Sequence, residues 1–274
     1  MDLDVQQRCR NTPLVMIPGF GSAAALFCLN FDTLARDRPV NALDILGFGS
    51  SSRPQISSNA LEAETEMVKT ILEWRKKVGL MGKFFLLGHS MGGYIAGAYA
   101  LQYPDRVLHV VLADPWGFPY IPNGNDCIGI TVVNIPFTPI FYSNNSEPIG
   151  VIRMALFTQI PPNMNAEIYY DSEVSTKPGL SNAQITEHLI MDLFEWAKYP
   201  MVHRIPALRS DVPLTFIYGA ESWVDRPVFF HCSVECLNQE VFIQIICGVG
   251  HHIYADKPEQ FHRLVLTACW TTEN

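Results

Sequence analysis

The stretch Gly88-His89-Ser90-Met91-Gly92 constrains this chain more than any other. The apolar run Phe84 to Leu87 precedes it, and small residues (Gly93, Ala96, Gly97, Ala98, Ala100) crowd the segment that follows. That pattern reads as strand, tight turn and helix, with a serine at the turn. Such a turn forces the serine backbone into a strained conformation and lifts its hydroxyl above the sheet. The flanking glycines let strand and helix approach closely. The serine then stands at a helix N-terminus, whose open N–H groups suit a developing oxyanion. A bare G-x-S-x-G carries little alone. Its meaning depends on whether an acid and a histidine follow in suitable places.

The rest of the chain supplies the context. Leu14 to Ile17 reads as a short buried strand, followed by the turn Gly19-Phe20-Gly21 and a helix from about Ala23 to Ala35. Val40 to Ile45 is the next strand, ended by Gly47-Phe48-Gly49 and a serine-rich loop. Asn59 with Glu62 three residues on predicts a capping box. The helix it opens would bury Leu61, Val68, Ile71, Leu72 and Val78 and stop at Gly79. After the serine turn come a helix to about Tyr103 and the strand Val107 to Leu112. Further on lie the strands Leu214 to Tyr218 and Val241 to Ile246, then a helix from Pro258 to Cys269. Short all-apolar strands alternating with helices predict an α/β domain with a parallel, doubly wound sheet.

The alternation pauses from about Trp116 to Pro206, a stretch rich in proline, asparagine and aromatics with short helices expected near 149–157 and 183–198. The expected organisation is a core in two parts, 1–115 and 207–274, with a lid inserted at 116–206. Ligands of such sheets bind beyond the carboxyl ends of the strands, so an insertion there would roof the serine.

With 274 residues, 48% hydrophobic and 17% charged, the chain is long enough for one large core. The net charge of −8 argues against nucleic-acid binding. Seven cysteines without a C-x-x-C pair predict free thiols in a reducing compartment. His231, Cys232 and Cys236 lack a second ligand pair, so no metal is expected. Met1-Asp2-Leu3-Asp4 starts no signal peptide, and proline and asparagine break the most apolar segment, Ile128 to Tyr142. A cytoplasmic location is the expectation.

A serine hydroxyl needs a base within hydrogen-bond reach. Of eight histidines, His251 sits in a glycine-rich turn after the last strand, where a loop can carry its ring over the serine; His252 is its rival. The imidazole needs a carboxylate to fix its tautomer. The loop Gly219 to Asp225 offers two, of which Asp225 is favoured over Glu221 because it lies beyond the tight turn. Asp114 is a third candidate, with the plainer reading of a turn residue before Pro115. The backbone N–H groups of Phe20 and Met91 are the expected oxyanion donors. No cofactor is implied.

Several segments resemble the α/β-hydrolase-domain-containing 4/5 subgroup. They are Pro13 to Pro54 with Leu46-Gly47-Phe48-Gly49-Ser50-Ser51-Ser52-Arg53-Pro54, Glu73-Trp74-Arg75, the serine turn, Asp114-Pro115-Trp116-Gly117-Phe118-Pro119, Trp196-Ala197-Lys198 and Gly250-His251-His252-Ile253-Tyr254-Ala255-Asp256. The order Ser90, Asp225, His251 also matches the α/β-hydrolase fold. The resemblance implies acyl-lipid substrates and three activities. One branch holds lipases of N-acyl phosphatidylethanolamines and lysophospholipids. The other holds a lipase coactivator of lipid droplets, with asparagine at the serine position and, by tendency, arginine where Glu221 stands. An acyltransferase forming phosphatidic acid has been tied to a His-x-x-x-x-Asp motif, here His251 to Asp256. Ser90 groups this chain with the enzymes. The resemblance also implies contact with membranes or lipid droplets, and a lipase partner for the coactivator. Asp256, followed by Lys257, Pro258 and Glu259, also reads as the N-cap of the last helix. The chain departs from the subgroup at Pro18, which replaces a histidine, and between Asp225 and Val241, which is short. The few residues before Leu14 predict that N-terminal edge strands are missing.

Overall fold

The fold was analysed in a computed structural model, which describes residues 11–57, 59–118, 197, 199–222, 224 and 240–273. Six strands form one parallel sheet: β1 (Leu14–Ile17), β2 (Val40–Ala42), β3 (Phe84–His89), β4 (Val107–Ala113), β5 (Leu214–Gly219) and β6 (Val241–Ile246). Their spatial order is β2-β1-β3-β4-β5-β6. Five described α-helices accompany them: α1 (Cys28–Leu34), α2 (Ala60–Lys77), α3 (Met91–Gln102), α4 (Ile253–Asp256) and α5 (Pro258–Glu273). The doubly wound parallel sheet expected from the sequence is therefore present.

Every residue of β1 is fully buried, as a parallel strand covered on both faces requires. Alternation divides them: Val15 and Ile17 join Met67, Val68, Ile71 and Ile95 on one face. Leu14 and Met16 join Phe27, Leu34, Phe261 and Val265 on the other. Burying each such side chain is worth roughly 1.5–3 kcal/mol, so the two clusters fix where α2, α3 and α5 lie against the sheet.

Local signals largely hold, with informative departures. Asn59 caps α2, its Oδ1 accepting from the amides of Leu61 and Glu62 at 3.0 and 3.3 Å. The reciprocal half of the box is absent. Glu62 instead accepts from the Ser57 hydroxyl, and Ser57 Oγ accepts from the Asn59 amide. Gly79 ends the helix at φ +76°. Leu61 and Val78 are exposed, while Ala63 and Met67 take buried positions beside Val68 and Ile71. The two exposed residues fall at the helix ends, beyond the reach of the sheet. β2 stops at Ala42 rather than Ile45 because the chain turns once Leu43 N–H has reached Met16 O, 3.2 Å away.

Chain direction across the sheet reverses between β1 and β3. In open parallel sheets, the crevice at such a reversal is where ligands bind. The loops leaving β1 and β3 carry Gly19-Phe20 and Ser90. On the way from β4 to β5 the described residues run to Phe118 and take up again at Ala197 and 199, with Phe118, Ala197 and Met201 all buried in the core. There the amides of Met201 and Val202 donate to the carbonyls of Gly117 and Phe118 at 3.0 Å each. Arg204 on the returning side pairs with buried Glu64 on α2 at 2.6 Å, and Glu64 also accepts from Tyr94 Oη on α3 at 2.7 Å. The lid helices expected near 149–157 and 183–198 lie outside the described residues.

Buried histidines tie folding to pH, and His109 lies away from the serine turn. His109 on β4 lies between Thr215 on β5 and Thr272 on α5, at 2.8 and 2.7 Å. Thr272 spends its proton on Ala268 O, so His109 Nδ1–H donates to Thr272 and Nε2 accepts from Thr215. Burial lowers the His109 pKa to about 4. An unfolded histidine titrates near 6.5, so between those values the unfolded chain binds more protons and stability rises with pH. The contribution is whole above pH 6.5 and is lost as pH falls towards 4. Between pH 7 and pH 5 it amounts to about 2 kcal/mol. In urea unfolding at these two pH values, His109→Gln is expected to lose about 2 kcal/mol less than wild type. Equal losses in the two proteins would refute this source of acid sensitivity.

Candidate active site

The serine turn forms as its glycines require. Ser90 lies at φ 54°, ψ −123°, a region that residues with side chains seldom occupy. The strain is held by packing. A Cβ on Gly88 would lie 2.2 Å from Gly92 O, and one on Gly92 would lie 2.4 Å from the carbonyl oxygens of both Ile17 and Pro18. Side chains at either position would therefore push α3 away from β3 or from the loop after β1. The Ser90 amide donates to Ala113 O at 3.1 Å, and its carbonyl accepts from Trp116 N–H at 3.1 Å. The turn is thus sewn to the end of β4.

The loop after β1 passes directly beside the serine. A Cβ on Gly19 would come within 2.9 Å of Ser90 Cβ, so only glycine fits there. This contact brings Phe20, the next residue, to the serine. Met91 is the first residue of α3, a position whose N–H has no acceptor within the helix. The Phe20 ring meets Phe48 edge-to-face at 5.2 Å, tying this loop to the one after β2. Asp44 strengthens the tie by accepting from Ala24 N–H at 2.6 Å and Ser50 N–H at 2.7 Å. The sequence signal for Asp44 was a lone carboxylate shortly after a strand and before the serine-rich loop.

His251 is 5% exposed and follows β6, as expected. Its Nδ1 meets Oδ2 of Asp114 at 2.5 Å. The sequence reading favoured Asp225 for this place and held Asp114 as a third candidate. Asp225 lies outside the described residues, and Glu221 is exposed, its amide bonded to Val249 O at 2.9 Å. Asp114 directly follows β4 at φ 45° and is fully buried, with its amide on Ile217 O at 2.7 Å. Its carboxylate also accepts from Gly219 N–H at 3.3 Å and from the Ser222 hydroxyl. It is a turn residue and a partner of His251 at once. The sequence signal was a carboxylate at the carboxyl end of an all-apolar strand beside the serine strand.

The loop bearing His251 is clasped from several sides. The Gly250 amide donates to the Asp256 carboxylate at 3.2 Å, and Lys257 Nζ donates to Cys247 O at 2.8 Å. A Cβ on Gly219 would lie 2.1 Å from Gly250 O. Asp256 thus ends α4 and braces the loop rather than capping α5, because its carboxylate reaches back to Gly250 instead of forward to the next helix. Burial raises its pKa. His252 contacts Tyr254 Oη at 3.3 Å through Nδ1. Burial and the nearby His252 lower the His251 pKa well below the ordinary imidazole value, which favours a neutral ring able to accept a proton.

Among the described residues, no cluster of histidine, cysteine and carboxylate side chains could hold a metal ion. No described helix is long and apolar enough to cross a membrane. The chemistry on offer is that of a hydroxyl, an imidazole with a carboxylate partner, and open backbone amides.

Comparison with known proteins agrees with this architecture. Residues 12–133 match the family model for the alpha/beta hydrolase fold. The chain is 36% identical over 289 residues to 1-acylglycerol-3-phosphate O-acyltransferase ABHD5 of Homo sapiens, covering 96% of this chain and 78% of the relative. It is also 36% identical over 272 residues to (Lyso)-N-acylphosphatidylethanolamine lipase of Homo sapiens, covering 94% of this chain and 79% of the relative. In structure it resembles a membrane phospholipase A described as a bacterial virulence factor, with TM-score 0.71, 22% identity and coverage of 97% and 80%. A putative lipase from Acinetobacter baumannii gives TM-score 0.72, 17% identity and coverage of 96% and 85%. With the parallel sheet and the serine turn at its direction reversal, these likenesses establish that the chain belongs to the α/β-hydrolase-domain-containing 4/5 subgroup of the α/β hydrolases.

Proposed function

We propose that the protein is a serine hydrolase of carboxylic esters in acyl lipids, with Ser90, His251 and Asp114 as its catalytic triad. The observation that carries this reading is the His251–Asp114 contact beside the strained Ser90 turn. Asp114 holds Nδ1–H, which leaves Nε2 as the base. Ser90 Oγ attacks the acyl carbonyl while its proton passes to His251 Nε2. The oxyanion is held by the amides of Met91 and Phe20. Collapse breaks the ester bond, and the departing alcohol takes the proton from His251. Water then repeats the sequence on the acyl-enzyme and releases the fatty acid.

The lipid class comes from the relatives, one named for N-acylphosphatidylethanolamine hydrolysis and one for acyl transfer to 1-acylglycerol-3-phosphate. The same acyl-enzyme serves either outcome, depending on whether water or a lysophospholipid hydroxyl accepts the acyl group. Hydrolysis is favoured because Asp256, the second member of the acyltransferase motif, is engaged with Gly250 N–H. A non-catalytic role as a lipase coactivator at membranes or droplets is opposed by the intact serine.

A fluorophosphonate probe is expected to label wild type and leave Ser90→Ala unlabelled. Incubation with mixed lipid vesicles should then release free fatty acid and lysophospholipid with wild type only. A folded wild type that takes no probe at concentrations labelling a control hydrolase would defeat the enzyme reading. Phosphatidic acid as the main product, formed with an acyl donor and lysophosphatidic acid, would instead establish the transferase.

The identity of the acid separates two residues. Asp114→Asn is expected to lower kcat by about 10⁴-fold, the size of effect seen when a triad carboxylate is neutralised, and Asp225→Asn to cost far less. The opposite ranking in folded proteins would return the role to Asp225.

A further inference from the structure

His89, the residue before Ser90, is not used in the mechanism above, yet it occupies the centre of the site. It is 1% exposed. Its Nε2 lies 2.9 Å from the carbonyl oxygen of His251. A carbonyl can only accept, so Nε2 carries the proton and Nδ1 is the bare acceptor nitrogen. Among the described residues that Nδ1 has no hydrogen-bond partner; it is buried and faces the loop after β1, where a Cβ on Gly19 would lie 3.0 Å from it. The ring also packs at 4.6 Å from the His251 ring, at 5.5 Å from His252 and edge-on at 4.8 Å from Tyr254. Burial, with His251 and His252 close by, lowers its pKa well below the ordinary imidazole value.

We infer that His89 is a positioning residue, whose Nε2–H holds the His251 main chain at a fixed distance from the adjacent Ser90. The inference rests on the reading of Ser90 as nucleophile and His251 as base. Asp114 fixes the direction of the His251 ring but approaches from the β4–β5 side. Asp256 fixes the preceding residue. Of the bonds described on this loop, the one from His89 alone comes from β3, the strand that leads into Ser90. It ties the base to the nucleophile rather than to the scaffold in general. Proton transfer from Ser90 depends on that separation, and a misplacement of about 1 Å can cost on the order of 10²-fold in rate. A histidine fits because neutral imidazole offers one donor at the far end of a flat ring. The same ring fills the space between the β1 loop and the histidine loop.

Two isosteric variants isolate the donor. Glutamine can place an amide N–H near the position of Nε2, whereas asparagine reaches only as far as Nδ1. Full-length wild type, His89→Gln and His89→Asn would be compared for hydrolysis of a short-chain p-nitrophenyl ester. Rates would be expressed per serine titrated with the fluorophosphonate, so that a low folded yield does not enter. The expected result is a kcat lowered by about 10²-fold in His89→Asn with little change in KM, and largely restored in His89→Gln. The His251 Nδ1 proton, visible far downfield by NMR, should shift in His89→Asn and return in His89→Gln. Wild-type kcat in His89→Asn would overturn the inference. So would an equal loss in both variants, which would assign His89 to packing. A wild type that takes no probe would instead overturn the underlying reading of Ser90, so the two failures are distinguishable.

Discussion

The buried carboxylate of Asp114 is the constraint on which the site depends. A charge out of contact with water costs several kcal/mol unless it is paired and hydrogen-bonded. Among the described residues, Asp114 meets that demand with donors from two later parts of the chain: Gly219 N–H and Ser222 Oγ after β5, and His251 Nδ1 after β6. Each donor is held in place by the carboxylate it serves. The left-handed backbone at Asp114 turns the side chain under this cluster instead of into solvent. Removing the carboxylate would free three polar groups at once and release the imidazole from its direction.

Sheet topology explains why these groups meet beside Ser90. The reversal of chain direction between β1 and β3 opens a crevice at their carboxyl ends. The loop after β1 and the turn after β3 line it with backbone N–H groups. Glycines at 19, 88 and 92 allow contacts that any Cβ would block. The helix α3, which starts at Met91, is buried along most of its length and so cannot yield when the turn is strained. Rigidity of this kind is what an oxyanion site requires, since its donors must stand in place before charge develops.

Features governed by near neighbours in sequence were legible. The serine turn, the Asn59 cap, the Gly79 stop and the complete burial of β1 all follow from residues a few positions apart. His251 was legible because a glycine-rich turn after a terminal strand is itself a local pattern. The contact of Asp114 with His251 was less legible, since it depends on how β4, β5 and β6 lie side by side. Local reasoning placed Asp225 ahead because it follows the strand before the histidine. Local reasoning failed at Asp256, where a good helix cap by position bonds backwards to Gly250. The role of His89 was equally hidden, because a histidine inside G-x-S-x-G looks like filler until the ring meets the carbonyl 162 positions away.

The central claim is that Ser90 receives an acyl group in a site already built to stabilise its oxyanion. The crystal structure of the protein after reaction with a phosphonate ester tests it most directly. Phosphorus should be bonded to Ser90 Oγ, with the phosphoryl oxygen about 2.7–3.1 Å from the backbone nitrogens of Phe20 and Met91. His251 Nδ1 should remain on Asp114. Phosphorus on another residue, an oxygen directed away from those amides, or His251 turned to Asp225 would contradict the account.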